Sequence, residues 1–242
     1  MPNAVATPET EAPKRHGNMP LNMVTSYVFF QLDPEFRKLP ATQKQQARQE
    51  LEAVFAAKPD SLWIRYYSTF GLREDADFFM WSIDKTLEPW HELMGEIYKT
   101  SFGPYLKQSY NYLAVSKESD YEAVHNHEQV PADENAPYLF VYPFIKTREW
   151  YQLPLEQRMT MMKEHIDVGH QFPGITINTA YSFGIDDQDF VVSFDGNTLE
   201  EFVKLVMKLR ETEASKYTAN DKPMFVGLKK PSIGQVLDTL GI

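Results

Sequence analysis

Residues 142–165 read YPFIKTREWYQLPLEQRMTMMKEH. An apolar run leads into Leu153-Pro154, and a segment with helical periodicity follows it. This order predicts a strand, a turn marked by proline and a helix that begins at Leu155. Four side chains are unusual in a unit that is otherwise apolar: Tyr142, Lys146, Trp150 and His165.

The same order of elements occurs twice in the chain. Residues 26–40 read SYVFFQLDPEFRKLP, and Leu39-Pro40 precedes Leu153-Pro154 by 114 residues. Two further landmarks repeat, Phe70-Gly71-Leu72 with Phe183-Gly184-Ile185 at an offset of 113, and Thr86-Leu87-Glu88 with Thr198-Leu199-Glu200 at 112. Each Phe-Gly landmark lies between two strand-like runs, as in a hairpin. The chain therefore reads as an internal duplication.

Each copy reads strand, helix, strand, strand, helix, strand, which is the ferredoxin-like order. The predicted fold class is α+β, with tandem duplicated ferredoxin-like units whose antiparallel sheets are covered by helices, an arrangement of the dimeric α/β-barrel type. The predicted boundaries are a disordered tail at 1–20, an N-terminal unit at 21–117, a linker at 118–137 and a C-terminal unit at 138–242.

Composition excludes several kinds of function. The net charge of −10 argues against a nucleic-acid partner. Zero cysteines exclude disulfides, thiolate metal sites and cysteine nucleophiles. No apolar run is long enough to span a membrane, and the first residues lack a secretory h-region. We therefore expect a cytoplasmic protein without a membrane partner.

Comparison of the two copies distinguishes residues that build the fold, which should be apolar in both copies, from candidate site residues, which are polar in one copy only. The local offsets set Tyr142 against Val28, Lys146 against Leu32 and His165 against Leu51, so the C-terminal copy carries polar groups where the first copy is apolar. Trp150 differs from these, because Phe36 is its aromatic counterpart and packing can explain it.

His165 is the candidate metal ligand. The 3,4 spacing of the helix predicts an inward side chain, and an inward neutral imidazole can ligate a metal or hydrogen-bond within the core. No HxxxH, HExxH or carboxylate cluster accompanies it. A single protein ligand suits an iron whose equatorial positions are already filled, as in haem.

Several motifs resemble the chlorite dismutase-like superfamily, and within it the coproheme decarboxylase branch. They are Tyr142-Pro143-Phe144-Ile145-Lys146, Glu149-Trp150-Tyr151, Leu153-Pro154, Glu164-His165, Tyr181-Ser182-Phe183-Gly184 and the run from Leu209 to Ser215, LRETEAS. The resemblance covers residues 26–230 and is most specific in the C-terminal half. It implies a haem or coproheme pocket there, and a homo-oligomeric ring that is typically a pentamer.

The resemblance also implies roles for single residues. His165 falls on the proximal iron ligand, Tyr142 on the tyrosine that becomes a radical, and Lys146 on the lysine that hydrogen-bonds the propionates. Trp150 belongs to the matching motif and is expected beside the cofactor. Glu213 falls on the carboxylate behind the proximal histidine.

The distal side of the iron distinguishes the branches of the superfamily. Members that degrade chlorite have an arginine there, whereas alignment from the Phe-Gly turn gives Ile177, or Asn178 if the register slips by one. A branch with an apolar distal residue takes a histidine from the linker as the base for peroxide. That histidine lies 17 residues before the radical tyrosine, which is His125 here, with His127 as the alternative.

The resulting prediction is a decarboxylase that converts iron coproporphyrin III to haem b with hydrogen peroxide. Tyr142 and His125 would be catalytic, and His165 would bind the iron. Chlorite dismutation or general peroxidase activity is the alternative enzyme function. A haem carrier or sensor without catalysis is the alternative of another class.

Overall fold

The computed structural model describes residues 15–16, 19–119, 121 and 135–242. The strands are β1 Arg15–His16, β2 Met19–Pro20, β3 Val24–Leu32, β4 Trp63–Ser68, β5 Phe78–Asp84, β6 Leu106–Val115, β7 Tyr138–Lys146, β8 Ile175–Tyr181, β9 Phe190–Gly196, β10 Thr218–Asn220 and β11 Phe225–Lys230. The helices are α1 Ala41–Ala56, α2 Glu88–Lys99, α3 Arg148–Gln152, α4 Leu155–Gly169, α5 Leu199–Glu211 and α6 Ile233–Thr239.

Eight strands close into one antiparallel barrel. The N-terminal half contributes them in the order β4-β5-β3-β6, and the C-terminal half in the matching order β8-β9-β7-β11. The halves join twice, where β11 pairs with β4 and β6 pairs with β8. The predicted fold class, two ferredoxin-like units of the α/β-barrel type, is confirmed.

The central strands are buried on both faces because the barrel interior lies on one side and helices on the other. In β3, Tyr27 and Phe29 point into the interior, whereas Val28 and Phe30 pack under the helices of the first half. This double burial explains why the strands read as continuous apolar runs rather than as an alternation of apolar and polar residues.

Three apolar clusters follow from this layering. One fills the barrel interior and includes Trp81 and Phe225. A second lies between the outer face of the first half and the helices α1, α2 and α6, of which α6 comes from the C-terminal end of the chain. The third, between the outer face of the second half and α5, is smaller and includes Tyr142.

The two hairpin turns agree with the repeat. Gly71 and Gly184 both have positive φ, 77° and 75°, which a residue with a Cβ adopts only with strain. The helices after each Leu-Pro begin where the sequence predicts, at Ala41 and Leu155. The short elements α3, β10 and α6 have no counterpart in the predicted repeat.

Within the predicted tail of residues 1–20, the structure describes Arg15–His16 and Met19–Pro20. Strands β1 and β2 pair, and Met19 is fully buried in the barrel cluster. Within the described part of the chain, no helix combines the length and the apolar character that a membrane span requires.

Candidate functional site

Strand β7 carries the first part of the site on its outer face. Leu139 and Val141 point into the barrel, so Tyr142, Phe144 and Lys146 lie on the side covered by helices. The sequence predicted that Tyr142 and Lys146 belong to the same strand. Because side chains alternate between the two faces of a strand, residues four apart lie on one face.

Lys146 is a buried cation that contacts backbone and rings rather than a carboxylate. Its Nζ donates a hydrogen bond of 2.6 Å to the carbonyl of Ala214 and lies 4.4 Å from the Trp150 ring centroid. Burial lowers its pKa to about 8. No carboxylate pairs with it among the residues that the structure describes, so the ammonium group is suited to an anionic ligand.

Trp150 supports Lys146 from α3. Its indole is 2% exposed and packs near Tyr217 and Tyr121, with ring centroids 5.5 Å and 6.5 Å away. Trp150 therefore has two roles, packing against its aromatic neighbours and contacting Lys146.

His165 lies on the inward side of α4, where Thr212 contacts it. The distance from His165 Nδ1 to Thr212 Oγ1 is 3.3 Å, and Thr212 Oγ1 donates its own proton to the Leu209 carbonyl at 2.7 Å. The threonine hydroxyl must then accept from Nδ1–H, since its one proton is already used. This tautomer leaves a lone pair on Nε2.

The imidazole is neutral at physiological pH. Burial, followed by the nearby charge of Lys146, lowers the pKa of His165 to about 4. A neutral ring with a free Nε2 is the form that ligates iron.

Glu213 does not occupy the position that the resemblance gave it. Its carboxylate is exposed and pairs with Lys216 at 2.6 Å, while its backbone N–H donates to Glu164. The group behind His165 is the preceding residue, Thr212. A short 3-10 turn at Glu213–Tyr217 follows Thr212, and along it the chain carries the Glu213 side chain outward.

The structure distinguishes Ile177 from Asn178 on β8. Ile177 lies on the outer face with the cluster that contains Tyr142, close enough that a Cβ on Gly169 would lie 3.3 Å from its Cδ1. Asn178 is fully buried on the other face and donates to Asp195 at 3.0 Å. Ile177 is therefore the residue of this pair that shares a face with Tyr142.

Tyr142 lies deep in this cluster. Its ring stacks on Phe194 with centroids 5.7 Å apart, and burial raises the pKa of the phenol above its ordinary value. The ion pair of Arg210 and Asp221, 3.0 Å apart, is close enough to influence the phenol electrostatically.

Arg158 belongs to the same region, although it was not among the predicted site residues. It lies seven residues before His165 on α4, about two turns, and therefore on the same inward side. Its Nη1 is 3.5 Å from the Tyr121 hydroxyl. The 3,4 spacing already predicted that Arg158 lies on this face. The absence of an acidic partner in the described chain could not be predicted from the sequence.

The two linker histidines, His125 and His127, lie outside the described residues. The described chain before them ends at Tyr121, whose ring is beside Trp150.

The residues described so far fit an iron porphyrin. They offer one neutral imidazole nitrogen, two cations without carboxylate partners in the described chain, and apolar surface at Ile177 and Phe194. Among the described residues, no group of three or more His, Asp or Glu side chains could hold a metal ion by itself. A ligand that brings its own donors and its own carboxylates matches this set.

The sequence matches the family described as Chlorite dismutase over residues 44–230. The chain belongs to the chlorite dismutase family. Members of this family are haem proteins.

Relatives of two kinds are found in the family. The coproheme decarboxylase of Mycolicibacterium smegmatis is 28% identical over 162 residues, which cover 66% of this chain and 70% of the relative. A variant of the chlorite dismutase from Candidatus Nitrospira defluvii is similar in structure, with a TM-score of 0.86 and 22% identity over 93% of this chain and 98% of that one. The same protein in complex with imidazole gives 0.86 and 23%, over 92% and 96%. The structural similarity shows the fold.

Proposed function

We propose that this protein is a coproheme decarboxylase, which removes two propionate carboxyl groups from iron coproporphyrin III with hydrogen peroxide to give haem b. The observation that carries the proposal is the shared outer face of Tyr142 and Lys146, with His165 opposite them on α4 and apolar Ile177 in place of a distal arginine. Similarity to a curated coproheme decarboxylase supports it.

Three groups would hold the porphyrin. Nε2 of His165 would ligate the iron, since Thr212 holds the other ring nitrogen. Lys146 would bind a propionate through a charge-assisted hydrogen bond. Ile177 and Trp150 would contact the macrocycle as apolar surface.

The bound iron porphyrin supplies the redox chemistry with peroxide. Each propionate substituent of the porphyrin loses carbon dioxide and one hydrogen from its β carbon, and so becomes a vinyl group. In the same round, one hydrogen peroxide is reduced to two waters with uptake of one proton. Two such rounds give the product.

Tyr142 would carry the oxidising equivalent to the propionate. Its phenol loses an electron and a proton, and the resulting radical takes a hydrogen atom from the propionate β carbon. Because burial raises the pKa of Tyr142, the phenol keeps its proton until it is oxidised.

His125 would act as the base that takes a proton from peroxide, a role suited to a group with a pKa near neutrality. It lies outside the described residues, and His127 is the alternative. Substitution of each histidine in turn, with the peroxide-dependent rate as the measurement, distinguishes them.

The test is to mix purified protein with iron coproporphyrin III and peroxide and to follow the products by mass spectrometry. We expect two successive losses of carbon dioxide with two hydrogens. Tyr142→Phe should bind the substrate and leave it unchanged. Wild-type protein that binds coproheme but forms no vinyl product would overturn the proposal.

Two other functions give different results in the same assays. Chlorite dismutation predicts steady oxygen evolution from chlorite, and the apolar Ile177 argues against it. A haem carrier or sensor predicts tight binding of haem with no change in coproheme. Self-association into a ring, with a pentamer as the expected size, and a cytoplasmic location remain predictions.

A further inference from the structure

Arg158 is a cation without a counter-ion beside the proposed porphyrin site. Its Nε is shielded from solvent and has no hydrogen-bond partner among the described residues. A buried charged donor without an acceptor destabilises the protein. A ligand that brings an acceptor would remove this cost.

The free edge of the guanidinium has a defined shape. Nη1 is directed to the Tyr121 hydroxyl at 3.5 Å, while Nε and Nη2 have no partner in the described part of the chain. The Nε–H and one Nη2–H point the same way, so together they can donate two parallel hydrogen bonds to one carboxylate.

The position of Arg158 links it to Lys146. The Arg158 guanidinium contacts Tyr121, the Tyr121 ring is near Trp150, and the Trp150 ring lies 4.4 Å from Lys146 Nζ. The two cations are thus joined through two aromatic side chains at one border of the site. Two turns of α4 separate Arg158 from His165, about 10 Å along the helix axis, so Arg158 lies away from the iron ligand.

We propose that Arg158 binds a peripheral carboxylate of the porphyrin side-on through Nε and Nη2, as a second anchor beside Lys146. This inference rests on the proposed function and adds a substrate-binding residue to it. The proposed ligand is therefore a polycarboxylate, with one carboxylate at Lys146 and another at Arg158, on the other side of Trp150.

The experiment measures binding of metal-free coproporphyrin III by quenching of protein fluorescence, so that neither iron ligation nor turnover contributes. We expect Arg158→Gln to raise the Kd at least tenfold, in line with the loss of a hydrogen bond to a charged group. Arg158→Lys should bind with intermediate affinity, since it keeps the charge but loses the bidentate geometry.

Lys163→Gln is the matched control, because Lys163 lies on the outer side of the same helix and pairs with Asp167. This variant should bind like wild type. Urea unfolding of the ligand-free proteins separates binding from folding: Arg158→Gln should be as stable as wild type or more stable, since it removes an unpartnered cation. Marked destabilisation would assign Arg158 to the fold instead.

Two outcomes overturn different statements. If wild-type protein binds the porphyrin and Arg158→Gln binds it equally well, the role of Arg158 is refuted while the proposed function stands. If wild-type protein binds neither metal-free nor iron coproporphyrin III, the proposed function itself fails.

Discussion

The Thr212 hydroxyl determines which nitrogen of His165 is available to a metal. The hydroxyl donates its proton in a hydrogen bond to the Leu209 carbonyl, so it can only accept a hydrogen bond from His165 Nδ1–H. The Nε2 lone pair of His165 is therefore left free. A hydroxyl acceptor is neutral, whereas the resemblance implied a carboxylate at this place. The imidazole is therefore oriented by a weaker hydrogen-bond acceptor than a carboxylate, and its Nδ1–H bond is less polarised.

Removal of this hydroxyl should weaken iron binding. We expect Thr212→Val to lower the affinity for iron coproporphyrin III about tenfold and to shift its absorbance spectrum, because a partner of a ligating histidine contributes ten- to hundredfold in metal affinity. Thr212→Ser keeps the hydroxyl and should restore both. An unchanged spectrum and affinity in the valine variant would show that the hydrogen bond has no such role.

The lowered pKa of His165 should appear in the stability of the ligand-free protein. Its pKa is 6.5 in the unfolded chain and about 4 in the folded protein, so between these values the unfolded state binds more protons. Stability should therefore rise as pH rises from 4 to 6.5, by about 2–3 kcal/mol from this group.

The measurement is urea unfolding at pH 4.5 and pH 6.5, with the difference taken between wild type and His165→Gln. The variant should lose this part of the rise. His170→Gln, at an exposed site just after α4, should keep it. An equal rise in all three proteins would contradict the assignment.

At the scale of elements, α5 differs from its counterpart α2 on the face that points away from the sheet. Leu199, Val203 and Met207 are 49%, 55% and 61% exposed and lie four residues apart on one side of α5. At the repeat offset of 112, Val203 and Met207 correspond to His91 and Gly95 on α2. Leu199 corresponds to Leu87, which is also exposed, but the continuation through Val203 and Met207 belongs to the C-terminal copy alone. This continuation indicates a contact surface rather than a requirement of the fold.

This stripe predicts an effect on assembly. We expect the wild-type protein to form the predicted ring and Val203→Glu to have a lower mass in solution, because a charge in an apolar contact would be desolvated without a partner. His91→Glu places the same charge at the equivalent position of α2 and should leave the mass unchanged. Light scattering measures both, and a Val203→Glu protein with the wild-type mass would exclude the stripe from the interface.

At the scale of the whole molecule, a buried ion pair connects the two halves across the barrel. Arg65 on β4 donates to Asp195 on β9 at 3.0 Å, and Asn178 on β8 donates to the second carboxylate oxygen. Trp63 and Trp81 flank the guanidinium. Removal of one partner leaves a charge buried inside the closed barrel.

Loss of Arg65 should therefore destabilise the fold strongly. We expect Arg65→Met to lower the free energy of unfolding by about 3–5 kcal/mol, since the carboxylate of Asp195 loses its counter-ion. Lys99→Met removes a cation from an exposed pair with Glu96 and should change stability by less than about 1 kcal/mol. A similar small effect for both variants in urea unfolding would show that Asp195 is solvated or paired otherwise.

The repeat could be predicted from the sequence because each landmark is local. Leu-Pro fixes a helix start, and Phe-Gly marks a turn that needs positive φ, so Leu39-Pro40 and Gly71 identified the same elements as Leu153-Pro154 and Gly184. The short elements were not predicted, since α3 spans only Arg148–Gln152 and β10 forms by pairing with β7, a strand remote in sequence.

Sequence by itself determined the fold class and the residues that differ between the copies, because strand and helix periods act on neighbours in the chain. Only the tertiary structure decided that Ile177 rather than Asn178 shares a face with Tyr142, since a shift of one residue reverses the face of a strand. It also decided that Thr212 rather than Glu213 contacts His165, and that Arg158 has no acidic partner in the described chain. These facts depend on distances between segments that are remote in sequence, and no local pattern encodes such distances.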